Sequence, residues 1–228
     1  MNMVIIGAAK GLGLCLTKQL LEKGYLVAAG TISMTPGLKE LKEKYQDSLL
    51  VFNADVTQEN QIEKSAQICH AFLNKIDSVC IIAGILTDSD RSQLLHECKI
   101  EDLRKTFDVN MIGPVTVVKY YYPYLRDHAK VFVVTSEGVA ISNCGTWVPG
   151  YALSKAAATK ACGILNQSVP RIDFYAVHPG RMNTDMGRTT AQIEPEESAE
   201  YFCRLISGET PISRENWYID YKGNRMEY

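Results

Sequence analysis

The fold of this chain is decided by residues 3–13, which read MVIIGAAKGLG. The apolar run from Met3 to Ile6 predicts a buried strand, and a G-x-x-x-G-x-G loop follows it directly. Glycines are needed in such a loop because a Cβ would block the tight turn and the close approach of a pyrophosphate to the backbone. The helix predicted to follow would add N–H donors at its N-terminus. The candidate phosphate-binding residues are Gly7, Lys10, Gly11, Leu12 and Gly13.

The rest of the chain alternates short apolar runs with longer segments of helical period, which is typical of βαβ units that build a parallel sheet. The predicted strands are Met3–Ile6, Tyr25–Ala29, Leu49–Phe52, Ser78–Ile82, Lys130–Thr135, Ile172–Val177 and Trp217–Tyr221. The predicted helices are Gly11–Lys23, Thr57–Asn74, Ile100–Arg126 with an interruption near Gly113 and Pro114, Gly150–Asn166 and Pro195–Ile206. We therefore predict an α/β fold, a single doubly wound Rossmann-like domain over residues 1–228. Its seven-stranded parallel sheet has the order 3-2-1-4-5-6-7 and is flanked by helices.

Composition and charge argue against several classes of function. The 24 basic and 26 acidic side chains give a net charge of -2, so no long-range field would draw the molecule to a nucleic acid or an anionic membrane. The seven cysteines are odd in number and scattered, without a C-x-x-C pair, which argues against a disulfide framework or a zinc site. The longest apolar stretch, Val79 to Leu86, is too short to span a bilayer. We expect a soluble cytoplasmic protein without a metal site and without nucleic-acid or membrane partners.

The end of the second strand indicates which nucleotide is bound. A site for NAD usually has Asp or Glu there, which binds both ribose hydroxyls. Here the position falls near Thr31 and Ile32, and no acid occurs before Glu40. Lys10 places a cation in the glycine loop, which suits a 2′-phosphate; the alternative is that Lys10 is only a solvated loop lysine. We expect NADP(H) to be favoured over NAD(H), with Thr31 among the contacts.

Asp55 and Val56 follow the third strand in the stretch NADV. The Asp55 carboxylate and the Val56 amide are candidates for contacts with the adenine edge. The alternative is that Asp55 only caps the helix that begins near Thr57, and the two roles are compatible.

Tyr151 and Lys155 are four residues apart in YALSKAAA, a stretch of strong helix formers. One helical turn would stack the two side chains, so that the ammonium favours the phenolate and makes Tyr151 a proton donor and acceptor. Tyr218 and Lys222 have the same spacing, but they fall in a predicted strand and turn, where extended chain separates such groups by about 13 Å. The first pair predicts chemistry, and the second does not.

Two more polar residues accompany the first pair. Ser136 follows the buried run Val133–Thr135, where doubly wound folds place groups that face a ligand, and its hydroxyl would hold a carbonyl oxygen while Tyr151 protonates it. Asn110 comes four residues before Pro114, which lacks the N–H that would bond the Asn110 carbonyl in a helix. That free carbonyl is a candidate water site.

With these residues the chain resembles the classical short-chain dehydrogenase/reductase family over essentially its full length. The resemblance rests on the glycine loop, the stretch NADV at 53–56, the four residues Asn110, Ser136, Tyr151 and Lys155, and the turn PGRMNT at 179–184. It implies hydride transfer between a nicotinamide and a carbonyl or secondary alcohol, with Tyr151 as acid and base and Lys155 also holding the nicotinamide ribose. Further cofactor contacts implied by the resemblance are Ala83, Gly84, Pro179, Gly180, Met182 and Thr184. The segments 194–199 and 217–223 are similar to the C-factor and sniffer type of carbonyl reductase.

The chain departs from the family pattern at a few positions. Ile6 replaces a threonine that often opens the glycine motif, and Ile81 and Ile82 replace an Asn pair whose side chains tie the fourth strand to its neighbours. We expect cofactor affinity to be the property that these losses change. The interval from Ser136 to Tyr151 is slightly longer than usual, which leaves Ser142 as a weaker candidate for the serine role.

The resemblance also implies partners. We expect a catalytic segment over 136–155 and a substrate loop near 181–197, with an apolar carbonyl substrate held by residues 141–148, including Cys144 and Trp147, and by Met182 and Met186. Family members pair two helices across a two-fold axis, so we expect a homodimer or homotetramer built on Asp102–Arg126 and Gly150–Asn166.

Two other functions stay open: a nucleotide-binding regulatory or signalling protein with the same fold and little turnover, and a methyltransferase of related topology, which the missing acid after strand two disfavours.

Overall fold

The computed structural model describes residues 1–142, 144–187 and 191–227. Seven strands form one sheet in the order β3-β2-β1-β4-β5-β6-β7, and every neighbouring pair is parallel. The strands are β1 (Asn2–Ile6), β2 (Leu26–Thr31), β3 (Leu49–Asn53), β4 (Ile76–Ile81), β5 (Leu125–Val134), β6 (Asp173–His178) and β7 (Tyr218–Asp220). The predicted fold class and strand order are confirmed.

Helices cover both faces of the sheet. They are α1 (Gly11–Glu22), α2 (Pro36–Lys44), α3 (Glu59–Leu73), α4 (Ile100–Phe107), α5 (Gly113–Tyr121), α6 (Pro149–Ser168) and α7 (Pro195–Ser207). Side chains of β1 alternate between two cores, because successive residues of a strand point to opposite faces. Met3 and Ile5 pack with α1, α2 and α7, while Val4 and Ile6 pack with α3, α5 and α6. Within the described residues no helix has both the length and the apolar character needed to cross a bilayer.

The prediction of one helix over Ile100–Arg126 is wrong at its C-terminal end. A π-helical turn at Asp108–Ile112 separates α4 from α5, which matches the predicted interruption. The helix then stops at Tyr121, a short 3-10 turn containing Pro123 follows, and β5 begins at Leu125. Arg126 therefore lies in a strand, where its Nε is 2.8 Å from Asp77 Oδ1. The strand is irregular, since His128 has a φ of 60°.

Sequence reasoning also missed α2. Thr35 caps this helix, because its Oγ1 accepts a hydrogen bond from the Leu38 N–H at 3.4 Å, and Pro36 occupies the first helical position, where its missing N–H is not needed. Leu38 and Leu41 are buried. A Thr-Pro start followed by apolar residues three apart was a readable signal for this helix.

Asp55 does not cap α3, so that alternative is wrong. The helix begins at Glu59 and its cap is Gln58. Asp55 Oδ1 instead accepts hydrogen bonds from the N–H and the hydroxyl of Thr57, at 3.0 and 2.7 Å, and so forms a turn before the helix. Val56 beside it is buried.

Candidate active site

The predicted site residues lie at one edge of the sheet, where the parallel strands end. The glycine loop leaves β1, Thr31 ends β2, Asp55 and Val56 follow β3, and Ala83 and Gly84 follow β4. Ser136 follows β5, and the turn at 179–184 follows β6. Ligands of doubly wound sheets bind at this edge. The fold thus brings residues from six segments of the chain to the same edge of the sheet.

The glycine loop has room for backbone only. Gly7 has a φ of 100°, and a Cβ there would stand 2.6 Å from the Ala83 amide nitrogen. A Cβ on Gly13 would stand 2.0 Å from the Gly7 carbonyl oxygen. The loop is fixed to β2, because the N–H groups of Gly7 and Ala8 both donate to the Gly30 carbonyl, at 2.9 and 3.0 Å. This tight cradle at the start of α1 fits a dinucleotide phosphate.

Lys10 is paired with a carboxylate. Its Nζ lies 2.5 Å from Asp185 Oδ2, and the two side chains are 74% and 82% exposed, so the contact is a surface ion pair of small energy. Thr31 Oγ1 donates to the Ser33 carbonyl at 2.8 Å and accepts from the Ser33 N–H at 3.1 Å. Both candidate contacts for a 2′-phosphate therefore have protein partners that a ligand would have to replace or share.

Backbone hydrogen bonds hold the end of β4, where the Asn pair of the family is replaced by isoleucines. The N–H groups of Ile82 and Ala83 both donate to the Ile6 carbonyl, at 2.8 and 2.9 Å. Ile81 is 1% exposed and belongs to the core. The strand is thus tied to β1 without the amide side chains.

Asn110 lies in the π-helical turn between α4 and α5 and is fully buried. Its Oδ1 accepts from the Ile85 N–H at 2.8 Å, and its Nδ2 donates to the Ile85 carbonyl at 2.9 Å and to Ser154 Oγ at 3.0 Å. Ser154 Oγ in turn donates to the Tyr151 carbonyl at 2.8 Å. Asn110 thereby links the segment after β4 to the helix that carries Tyr151. Sequence reasoning missed Ser154, although it lies inside the Tyr-Lys motif.

Tyr151 and Lys155 lie one turn apart on α6, as predicted. Lys155 is 3% exposed, and its Nζ donates to the Val134 carbonyl at 2.7 Å. The same Nζ lies 5.8 Å from the centre of the Tyr151 ring and would be 3.1 Å from a Cβ on Gly84. Burial lowers the pKa of Lys155 to about 8 and raises the pKa of Tyr151 to about 12. At neutral pH both groups are protonated.

Asp90 is a site residue that the sequence did not reveal. Its two carboxylate oxygens accept hydrogen bonds from the N–H groups of Gly150 and Tyr151, each at 2.7 Å. The side chain is 4% exposed. No local pattern marks Asp90, because its partners follow some 60 residues later.

Ser136 stands half-buried just beyond β5 in extended conformation. Its Oγ accepts from the Gly138 N–H at 3.3 Å, and its carbonyl accepts from the Tyr218 hydroxyl at 2.8 Å. Ser142, the weaker candidate, is exposed. The partial burial of Ser136 and the hydrogen bond to its carbonyl favour it over Ser142 for the serine role.

The turn after β6 is shaped by Gly180, whose φ is 84° and whose Cβ would stand 2.5 Å from Ile193 Cδ1. The Pro179 carbonyl accepts from Ser198 Oγ on α7 at 2.7 Å. Thr184 approaches the glycine loop, since a Cβ on Gly11 would be 3.3 Å from Thr184 Cγ2. Residues 188–190 of the predicted substrate loop lie outside the described residues.

The predicted substrate pocket is open in part. Ile141 and Trp147 are 82% and 58% exposed, whereas Met182 and Met186 are half-buried; Asn143 of the same segment lies outside the described residues. Arg91, which sequence reasoning missed, donates from Nη2 to the Met186 carbonyl at 2.9 Å. The Arg91 guanidinium therefore binds the backbone of the predicted substrate loop.

Known proteins resemble this chain in sequence and in fold. The family model for short chain dehydrogenases matches residues 1–195. An uncharacterized oxidoreductase of Schizosaccharomyces pombe is 33% identical over 183 residues, covering 80% of this chain and 71% of that protein. C-signal of Myxococcus xanthus is 31% identical over 139 residues, covering 59% of this chain and 83% of that protein.

The fold has a similar counterpart in the carbonyl reductase Sniffer of D. melanogaster, with a TM-score of 0.90, 20% identity and full coverage of both chains. The predicted similarity to the C-factor and sniffer type is confirmed by these matches. These matches show that the chain belongs to the short-chain dehydrogenase/reductase family and is an oxidoreductase that acts on CH–OH or C=O groups.

Proposed function

We propose that this protein transfers a hydride between NADP(H) and a carbonyl compound or secondary alcohol, with Tyr151 as acid and base. The observation that carries the proposal is the packing of the Tyr151–Lys155 turn beside Gly84 and Asn110, at the edge where the glycine loop opens. Under this proposal residues 1–228 form one catalytic domain.

The nicotinamide, when bound, supplies or accepts the hydride, and the residues of the chain handle the proton. The Tyr151 phenol is protonated at neutral pH, and burial raises its pKa further, from 10 to about 12. In reduction, Tyr151 donates this proton to the carbonyl oxygen as negative charge develops there. The Ser136 hydroxyl gives the same oxygen a second hydrogen bond.

In alcohol oxidation Tyr151 has to lose its proton first. The Lys155 ammonium is still mostly protonated at pH 7, since its pKa is about 8. A positive charge 5.8 Å from the ring centre favours the phenolate. One N–H of the ammonium is fixed by the Val134 carbonyl, and its other donors remain for the nicotinamide ribose.

The preference for NADP(H) rests on charge. The acid that would bind both ribose hydroxyls is missing after β2, and Lys10 is the cation of the glycine loop. A 2′-phosphate would compete with Asp185 for Lys10, and an exposed ion pair of this kind opposes the exchange only weakly. Lys10→Ala should weaken NADPH binding by about 1–3 kcal/mol and leave NADH nearly unchanged. Titration of both cofactors, with the exposed Lys18→Ala on α1 as control, checks this; equal losses for the two cofactors would refute it.

We expect the active protein to be a homodimer or homotetramer on α4, α5 and α6, in which an apolar substrate body contacts Trp147, Met182 and Met186. Exposed apolar side chains on α5 and α6 support the interface: Val115, Leu153 and Ile164. Light scattering at micromolar concentration tests it. All seven cysteines are free thiols, which fits the proposed cytoplasmic location.

One experiment separates this proposal from the alternative of a regulatory or signalling protein with little turnover. Carbonyl compounds and secondary alcohols are assayed with each cofactor at the nicotinamide absorbance. Turnover of at least one compound with NADPH supports the proposed reaction. Tight NADPH binding without turnover of any compound would favour the regulatory role, to which the similarity to C-signal also draws attention.

A further inference from the structure

Asp90 is a buried carboxylate to which the proposed reaction gives no role. It lies in the loop between β4 and α4. Its Oδ1 accepts from the Gly150 N–H and its Oδ2 from the Tyr151 N–H, both at 2.7 Å. The backbone of the proposed proton donor is thus held by a side chain 61 positions earlier in the chain.

The N-terminus of α6 cannot cap itself. Its N-cap residue, Val148, has no side-chain acceptor and has φ 46° and ψ 55°, a left-handed conformation that is rare for a β-branched residue. Pro149 has no N–H. The next two N–H groups, of Gly150 and Tyr151, would have no partner within the helix, and a negative charge there also interacts favourably with the helix dipole. Asp90 supplies both acceptors and the charge.

Gly150 leaves room for this contact. A Cβ at this position would stand 3.1 Å from Asp90 Oδ1 and 2.7 Å from Leu103 Cδ2 on α4. The missing side chain lets the carboxylate and α4 approach the first turn of α6 together.

The turn that carries Asp90 is itself braced. The Asp90 N–H donates to Thr87 Oγ1 at 3.3 Å, and Ser89 Oγ donates to Asp102 Oδ2 on α4 at 2.6 Å. Arg91, the next residue, donates to the Met186 carbonyl of the predicted substrate loop. Asp90 therefore approaches Tyr151 from a turn that is anchored on both sides.

We infer that Asp90 is a positioning residue for Tyr151: by fixing the first turn of α6, it sets the direction and distance at which the phenol meets the substrate oxygen. The inference rests on the proposed role of Tyr151 as proton donor. Asp90 itself exchanges no proton in the reaction. Because a misplacement of about 1 Å can cost about 10²-fold in rate, loss of this contact should be visible in kcat.

The test is Asp90→Asn, which keeps the side-chain volume but presents an NH₂ group to one of the two N–H donors. We expect kcat to fall about 10–100-fold. KM and NADPH affinity should stay within about 2-fold, since no contact with either ligand is removed. The solvent deuterium isotope effect on kcat should rise, because proton transfer from a displaced phenol becomes slower. Gly150→Ala keeps the carboxylate, but its methyl group would press on both Leu103 Cδ2 and Asp90 Oδ1; it should show a smaller change in the same direction and decides the question if Asp90→Asn does not fold.

Asp77→Asn is the matched control. Asp77 Oδ2 also accepts a backbone N–H at 2.7 Å, from Asn2, but at the opposite edge of the sheet. This variant should lose thermal stability and keep the parent kcat and isotope effect. A folded Asp90→Asn or Gly150→Ala enzyme with parent kcat and parent isotope effect would overturn the inference. Tyr151→Phe is assayed alongside: if it retains turnover, the proposed function fails, and if it alone is inactive, only the role of Asp90 fails.

Discussion

Two Tyr-x-x-x-Lys pairs occur in this chain, and they have different surroundings. On α6, the Lys155 ammonium lies 5.8 Å from the centre of the Tyr151 ring. At the end of β7, Lys222 lies over the rings of Tyr201 and Tyr221, and Tyr218 points back to donate its hydroxyl proton to the Ser136 carbonyl. On the helix this spacing stacks the two side chains, and we propose that this pair, and not the one at the end of β7, transfers a proton.

The pKa does not distinguish the two phenols. Burial raises it to about 12 for both Tyr151 and Tyr218. The difference lies in the cation: Lys155 is buried beside its tyrosine, whereas Lys222 is an exposed side chain next to other rings. The buried lysine, and not the acidity of the isolated phenol, therefore sets the proposed site apart.

Replacing the two lysines should give the largest difference. Lys155→Ala removes the charge beside Tyr151 and the donor proposed for the ribose, so kcat should fall by at least about 10²-fold and NADPH should bind more weakly. Lys222→Ala should leave both quantities unchanged. Steady-state kinetics and cofactor titration of the two variants measure this, and similar effects of the two substitutions would remove the distinction between the pairs.

The pH dependence of stability should also separate the lysines. The pKa of Lys155 is lowered by burial from 10.5 to about 8, so between these values the unfolded chain binds more protons than the folded one. The free energy of unfolding contributed by this group therefore rises with pH from about 8 to 10. Lys155→Met should be more stable than the parent at pH 7, by about 3 kcal/mol at most, and the gap should narrow as the pH rises.

Denaturant unfolding at pH 7, 8, 9 and 10 checks this expectation. Lys222→Met, which changes an exposed side chain, should follow the parent curve across that range. If the difference in free energy of unfolding between the parent and Lys155→Met stayed constant from pH 7 to 10, the burial argument would be contradicted.

The smallest expected effect is that of the second tyrosine. Tyr218→Phe removes the hydrogen bond to the Ser136 carbonyl, which is typically worth about 0.5–1.5 kcal/mol, so we expect a loss of stability of this size and a decrease in kcat of only a few-fold. Tyr45→Phe, at the end of α2 on the other side of the sheet, serves as control and should change neither. If Tyr218→Phe lowered kcat as much as Lys155→Ala does, Tyr218 would also take part in the reaction, which would contradict the proposed distinction between the two pairs.

Most of the fold was predictable because its signals are local. The glycine loop, the apolar runs and the helical spacing each lie within a few residues of one another, and right-handed crossovers then fix the strand order. The start of β5 was not predictable in this way. Its first residues, Leu125 to Ala129, are mostly polar, and they become a strand through pairing of Leu125 with Ile76, far away in the chain.

The site residues also divide into those with a local sequence signal and those that depend on long-range contacts. Tyr151, Lys155 and the glycines follow from spacing, whereas Asp90 and the pairing of Lys10 with Asp185 depend on contacts across 61 and 175 positions. A sequence records neither the approach of Asp90 to the first turn of α6 nor the left-handed conformation of Val148 before it.

We propose that Tyr151 transfers the proton while the Lys155 ammonium favours its phenolate. The most direct measurement is kcat of Tyr151→Phe and Tyr218→Phe, side by side, on one carbonyl compound with saturating NADPH. Each substitution removes one hydroxyl and little volume. We expect Tyr151→Phe to lose about 10²–10⁴ in kcat while NADPH still binds, and Tyr218→Phe to stay within a few-fold of the parent. Parent turnover in Tyr151→Phe would contradict the proposal.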